Sequence, residues 1–246
     1  MRFATFNVHG FADAAGRSST ARVIALLREL DCDLVALNEV PTRSGSLGRV
    51  ASALELHSAF ASAGFLGNAL LSRAAMKTAE HELPVADVEL RSALVARVDT
   101  SIGPLRIAAT HLDPHSEDVR LAQLAALEAH LDGDAVDLLA GDFNALSLSD
   151  YDEAALAQVA AMRRANSREA PRGELVQSMT RWRDARTLTA LSSRVGPLAT
   201  CWAGTRIDYV WLSAALAARV RVARYEVRDT GASDHAIVVV ELDRAL

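Results

Sequence analysis

The sequence predicts an α/β fold in which two mixed β-sheets pack face to face with helices outside, a four-layer α-β-β-α sandwich. Three observations carry this reading. Apolar runs of strand length alternate with longer stretches whose apolar residues recur at helical spacing. Half of the 246 residues are apolar, which supplies a large core and suits a single domain over residues 1–246. Polar and ionisable residues recur where the apolar runs stop, as at the edge of packed sheets.

Taken along the chain, Arg2 to Val8 is a buried strand. Ser18 or Ser19 then caps a helix whose apolar positions Val23, Ile24, Leu27 and Leu30 share one face. Asp33 to Leu37 is the next strand, ending at Asn38-Glu39, and Gly48 to Leu56 forms a short helix. Gly67 to Ser72, Ala86 to Asp99 and Leu105 to His111 are strands, the last two joined through the turn-forming Thr100 to Pro104. A helix from Ser116 to Leu131 carries Val119, Leu121, Leu124, Leu127 and Leu131. Ala135 to Ala140 is a core strand leading into Gly141-Asp142-Phe143-Asn144. Tyr151 to Ala165 and Gly173 to Trp182 read as helices, and Arg206 to Leu212, Val220 to Val227 and His235 to Leu242 as the closing strands.

Bulk properties exclude several classes. No apolar run approaches the roughly 18 residues of a membrane-spanning helix. The N-terminus runs directly into a strand pattern instead of a secretion signal, and two cysteines make no disulfide framework, so a reducing cytoplasm is the expected setting. Cys32 reads as a small core residue. A net charge of -5 argues against wrapping long duplex DNA. The basic stretch from Met162 to Arg186, with Arg163, Arg164, Arg168 and Arg172 among its cations, reads as a solvated helical face.

The chemistry lies at the strand ends: Asn7, Glu39, His111, Asp142 with Asn144, Asp208, and Asp234-His235. Brought together, they form an oxygen-rich cluster with two imidazoles. Carboxylate and amide oxygens suit a hard divalent cation, Mg2+ or Mn2+, and the absence of cysteine from the set disfavours structural zinc. Asp142 and Asn144 are two apart, so in extended chain both side chains point the same way. A carboxylate in that pair can take a proton from water that the amide holds.

The ordered motifs TFNVHG, LVALNEV, GNALLSR, LRIAATHLD, LLAGDFNAL, TRIDYVWLS and GASDHAIVVVEL, spread from Arg2 to Leu242, resemble the endonuclease/exonuclease/phosphatase superfamily, the fold of DNase I and exonuclease III. The resemblance implies a metal-dependent phosphoric ester hydrolase, phosphodiesterase or nuclease in type. It implies that Glu39 is the principal metal ligand, with Asn7 and Asp234 beside or across the metal. By the same resemblance Asp142 activates the attacking water, Asn144 positions it, His235 contacts the scissile phosphate oriented by Asp208, and His111 is a second histidine on the phosphate.

This chain departs from the family pattern at Phe6, where many members have Trp, and at Asn38, where many have Gln. The shorter Asn38 is expected to shift a hydrogen bond behind the metal. His111 has no evident carboxylate partner. Arg91 either reaches the substrate phosphate or lies on a strand surface. His9 could share the face of Asn7, whereas His57, His81, His115 and His130 read as surface or structural residues, and Trp182, Trp202 and Trp211 as core or loop anchors. Leu146 to Thr205, the longest stretch between motifs, is the expected specificity element. The expected partner is a phosphate-ester substrate, a short nucleic acid or nucleotide-like ester fitting the acidic chain best. A phosphomonoesterase acting on a small phosphorylated metabolite is the alternative, and a non-catalytic binding module the remaining one.

Overall fold

A computed structural model describes residues 1–83, 91–131 and 136–245. The strands are β1 (Arg2–Asn7), β2 (Leu34–Pro41), β3 (His57–Ala63), β4 (Leu66–Ser72), β5 (Met76–Leu83), β6 (Arg91–Thr100), β7 (Gly103–His111), β8 (Leu138–Asp142), β9 (Trp182–Asp184), β10 (Arg194–Val195), β11 (Asp208–Ser213), β12 (Val220–Arg228) and β13 (Ile237–Arg244). Helices are α1 (Thr20–Leu30), α2 (Ser46–Leu54), α3 (Glu117–Leu131), α4 (Glu153–Ala165), α5 (Glu174–Ser178), α6 (Ala185–Leu188) and α7 (Ala214–Ala217). One mixed sheet has seven strands in the order β10-β12-β13-β1-β2-β4-β3, and the other has six, β5-β6-β7-β8-β11-β9.

Strand alternation explains the layers. Phe3, Leu34, Leu70 and Val238 face Leu94, Ile107, Leu138 and Val210 of the other sheet across the central core. On the opposite side of β1 and β2, Ala4, Phe6, Val35 and Leu37 meet Val23, Leu27 and Leu30 of α1 and Val50 of α2. The outer face of the six-stranded sheet places Val95, Leu139, Tyr209 and Trp211 against Leu124, Leu127 and Leu131 of α3 and Leu175 of α5. The two sheets and their outer helices therefore make the anticipated sandwich.

Several elements differ from the sequence reading. β3 is an unanticipated strand, and its HSAFASA sequence, short of strong strand formers, is held by pairing along β4. The helix expected through Trp182 stops at Ser178, because Trp182 to Asp184 pair with β11. Ser19 occupies the N-cap of α1, yet its side chain makes no cap hydrogen bond. The expected strand residues 86–90 and Ala135 lie outside the described residues, as does the side chain of His81.

Two buried arginines tie the segment between β8 and β11 to the sandwich. Arg120 of α3 is 1 % exposed and pairs with Glu117 and Glu169, while Glu117 also accepts the Leu175 N–H. Arg206 donates from Nε to Asp150 at 2.7 Å and from Nη1 to Asp184 at 2.8 Å, and its guanidinium lies 4.3 Å from the Tyr209 ring centre. Its backbone N–H donates to the Tyr151 hydroxyl.

Candidate active site

Register assembles the cluster. In the six-stranded sheet, β8 pairs with β7 so that His111 lies beside Asp142, and with β11 so that Asp208 lies on its other side. In the seven-stranded sheet β1 and β2 run parallel with Asn7 beside Asn38. The β2–β4 ladder shifts register between Leu37 and Val40, and within this bulge Glu39 adopts φ 55°. A bulge re-aims side chains: Asn38 is wholly buried between the sheets, while Glu39 lines a cleft at their edge. Asn144 also has a positive φ, 51°, so two non-glycine residues of the cluster hold strained backbone. At Gly141 strain would be worse with any side chain, since φ is 139° and a Cβ would come within 1.9 Å of the Thr110 carbonyl oxygen.

Asn38 joins the sheets. Its Oδ1 accepts the Asp142 N–H at 3.0 Å, and its Nδ2 donates to Asn68 Oδ1 at 2.7 Å and to the Thr110 carbonyl at 2.9 Å. The departure from Gln is therefore fully bonded in this chain. Asn7 Nδ2 donates to Glu39 Oε1 at 2.9 Å and Asp142 Oδ2 at 3.1 Å, while its oxygen takes the His9 N–H. Ser233 Oγ donates to the Asn7 carbonyl and accepts the His235 N–H, which fixes the Asp234-His235 segment on β1.

His235 Nδ1 donates to Asp208 Oδ2 at 2.9 Å, and its Nε2 lies 3.7 Å from Asp142 Oδ2. Burial disfavours the His235 cation, but the Asp208 charge and hydrogen bond, with Asp142, outweigh it and hold the imidazole well above its usual range. His111 Nε2 accepts from Asn144 Nδ2 at 3.0 Å and lies 3.6 Å from Asp142 Oδ2. Burial, together with Arg91 and His235, pushes the His111 pKa well down and keeps its ring neutral. Asn144 is thus the neighbour that orients His111. Asp142, buried and repelled by Asp208, is pushed up to about 7.

The donor set fits a hard divalent cation. Glu39, Asp142 and His111 offer ligand atoms within 4.8 Å of one another. Asp142 carries the electrostatic cost of a buried acid, and Asp208 Oδ1 is buried with no hydrogen-bond partner among the described residues. Asp234 Oδ1 approaches the same region, 3.4 Å from His9 Nδ1, which is itself 3.5 Å from Glu39 Oε2.

The cleft over this cluster has a volume of about 360 Å³. Glu39, Asp142, Asn144, His111, Asp234 and His235 line it, and Asp208 and Asn7 support them from beneath. Arg91 also lines it, from a strand 8 % exposed at that position. His9 belongs to the cleft as well. Three residues depart from the sequence reading, and a fourth, exposed as anticipated, adds to the cleft. Arg163 is buried and, with Arg168, forms a wall of the cleft in place of a solvated face. Trp202, expected as an anchor, stands 59 % exposed on the rim, and His115 lines the cleft too. The signal available for these was only their position in the long inter-motif segment or beside the THLD motif. Trp182 and Trp211 are buried as anticipated, and His57 and His130 are exposed.

A profile described as the endonuclease/exonuclease/phosphatase family matches residues 4–235. Among solved structures, a mannosyl-6-phosphatase of Bacteroides thetaiotaomicron superposes with a TM-score of 0.73 at 17 % identity, covering 99 % of both chains. A 3′ phosphatase from Neisseria, solved with a product DNA hairpin, gives 0.69 at 18 % identity over 99 % of each chain. The catalytic domain of human Nocturnin gives 0.68 at 20 % identity, covering 100 % of this chain and 93 % of that one. No curated protein sequence matches the chain. At these identities the structural likeness speaks to the fold.

Proposed function

The chain belongs to the endonuclease/exonuclease/phosphatase family, and from that premise we propose that it is a divalent-metal-dependent phosphate-ester hydrolase, acting on small or single-stranded phosphodiesters. The observation that carries this reading is the buried Asp142, raised to about 7 and set within 3.7 Å of two imidazole Nε2 atoms of opposite protonation preference. An acid with that pKa is suited to exchange a proton near neutrality.

In the proposed reaction the Asp142 carboxylate accepts a proton from a water whose oxygen attacks phosphorus. Asn144 helps hold that water, and the bond from phosphorus to the leaving oxygen breaks, its electron pair going to that oxygen, which takes a proton from solvent. His235, kept protonated by Asp208, donates a hydrogen bond to a non-bridging oxygen, and His111 and Arg91 flank the same group. Glu39 and Asp234, with Asn7 beside Glu39, would hold Mg2+ or Mn2+. The bound cation supplies charge neutralisation on the phosphate oxygens. Because His235 is held protonated through neutrality while Asp142, raised to about 7, gives up and takes a proton there, Asp142 is assigned as the base.

A phosphomonoesterase is the second reading, favoured by the confined cleft and the arginines along its wall. The two are separated by assaying wild type beside Asp142→Asn with Mg2+ or Mn2+ on single- and double-stranded DNA, RNA, bis-p-nitrophenyl phosphate and p-nitrophenyl phosphate. Diester cleavage lost in the variant supports the first reading. Variant-sensitive release from the monoester alone supports the second, and no turnover on any ester refutes both.

A further inference from the structure

Trp202 is exposed but its backbone is not free. Its N–H donates to the Asp234 carbonyl at 2.8 Å, and Cys201 bridges to His235. The turn is closed by the Thr200 N–H on the Thr205 carbonyl and by the Gly204 N–H on the Cys201 carbonyl, with Gly204 at φ 72°. The backbone that carries the indole is thereby held at a fixed place on the rim, bonded to the Asp234-His235 segment. Isolated exposed apolar residues are ordinary on protein surfaces. This one faces a polar cleft from a clamped turn, which is how a preorganised stacking surface is built.

The end of α4 lines the same cleft. Arg163 is fixed there, its Nε donating to the Glu169 carbonyl at 2.8 Å. The Arg168 N–H bonds back to the Arg163 carbonyl, and the Arg168 side chain lines the same cleft. Arg168 makes no side-chain hydrogen bond or ion pair with the described residues. Two guanidinium groups converge on the cleft, and the one without a partner among the described residues has its donors available to an anion.

We propose that Trp202 and Arg168 form a subsite that selects nucleotide-type substrates, the planar base stacking on the indole and a phosphate other than the reacting one pairing with the guanidinium. This rests on the phosphate-ester reading above and specifies its substrate class. Free nucleotides and short single strands share this chemistry, and the test separates them.

Trp182 and Trp211 are buried, so Trp202 is the tryptophan that a cleft ligand would quench. The full chain carrying Asp142→Asn, with Mg2+, is titrated with ADP, pyrophosphate, ribose 5-phosphate and pentathymidylate while intrinsic fluorescence is followed. ADP is expected to quench, and pyrophosphate and ribose 5-phosphate are not. Adding Trp202→Ala should abolish the quench and weaken ADP binding, read by calorimetry, by about 5- to 150-fold, the range of a base–aromatic stack. Arg168→Gln should weaken ADP by about 10-fold, as for loss of one charged contact. Tighter binding of pentathymidylate than of ADP would identify strands as the source, and the reverse would identify free nucleotides; either supports the subsite. Absence of quenching, unchanged ADP affinity in Trp202→Ala, or ribose 5-phosphate binding as tightly as ADP would overturn it. The titration needs no turnover. Binding through Trp202 without hydrolysis by wild type would refute the hydrolase reading alone, and hydrolysis indifferent to Trp202 would refute the subsite alone.

Discussion

Replacing Asn38 tests the bond between the two sheets. Its carboxamide is wholly buried and makes three hydrogen bonds, to the Asp142 N–H, Asn68 Oδ1 and the Thr110 carbonyl. Asn38→Ala strands three buried partners. At about 1 kcal/mol each, the low end for an unsatisfied buried group, the loss is about 3 kcal/mol, and the cavity left by the side chain adds to it. For a chain of this size a loss of about 3 kcal/mol lowers Tm by about 6–12 °C. Asn38→Gln restores the family's commoner residue but inserts a methylene into filled space, which costs about 1–3 kcal/mol. Urea unfolding followed by circular dichroism, with the slope checked for constancy, measures both. The alanine variant should also lose turnover, because Asp142 loses the acceptor that fixes its backbone. An Asn38→Ala protein within about 1 kcal/mol of wild type would refute the network. A Gln variant more stable than wild type would refute the claim that this chain has adapted to the shorter side chain.

Three other outcomes follow from the same geometry. Mg2+ should raise Tm more near pH 8 than near pH 5.5, because Asp142, raised to about 7, sheds its proton in that window and its negative charge then favours a cation beside it; equal shifts at both pH values would exclude Asp142 from the neighbourhood of the bound cation. Asp208→Asn removes the charge that holds His235 protonated, so burial prevails and the His235 pKa falls. The raised folded pKa means that this pair stabilises fully below the unfolded histidine value of about 6.5 and fades as pH rises through the folded one. The stability gap between wild type and Asp208→Asn should therefore narrow at alkaline pH, and a gap independent of pH would refute the pairing. Gly141→Ala should cost more than about 3 kcal/mol in denaturation, since its Cβ meets the Thr110 carbonyl at 1.9 Å; near-wild-type stability would mean that the β7–β8 approach is looser than described.

Much of the sandwich was legible because its strands are apolar and its long helices periodic. β1, β2 and β8 are short hydrophobic runs that end in a polar residue, and that ending is what also betrayed Asn7, Asn38-Glu39 and Asp142. β3 and β9 were not legible, since alternating serine and alanine, or three residues beginning with Trp182, acquire strand form only from their partners. The wall of the cleft was hidden for a related reason. Arg163 and Arg168 follow helical chemistry in sequence, and only the docking of α4, pinned through Glu169 to Arg120, turns them toward the carboxylates. The orienting role of Asn144 toward His111 was equally invisible, because it depends on a left-handed turn after β8. Trp202 gave no periodic signal at all.

Arg206 gives the molecule a modular seam. One guanidinium gathers Asp150, where the long segment after β8 departs, and Asp184, where it rejoins the six-stranded sheet. Both borders of the intervening chain are therefore stapled to a single point beside Asp208, and its span can be recut while the borders stay in place. Evolution, or a protein engineer grafting the corresponding stretch of a relative between these two acids, can redraw the roof of the cleft while the floor of carboxylates and imidazoles is left as it was.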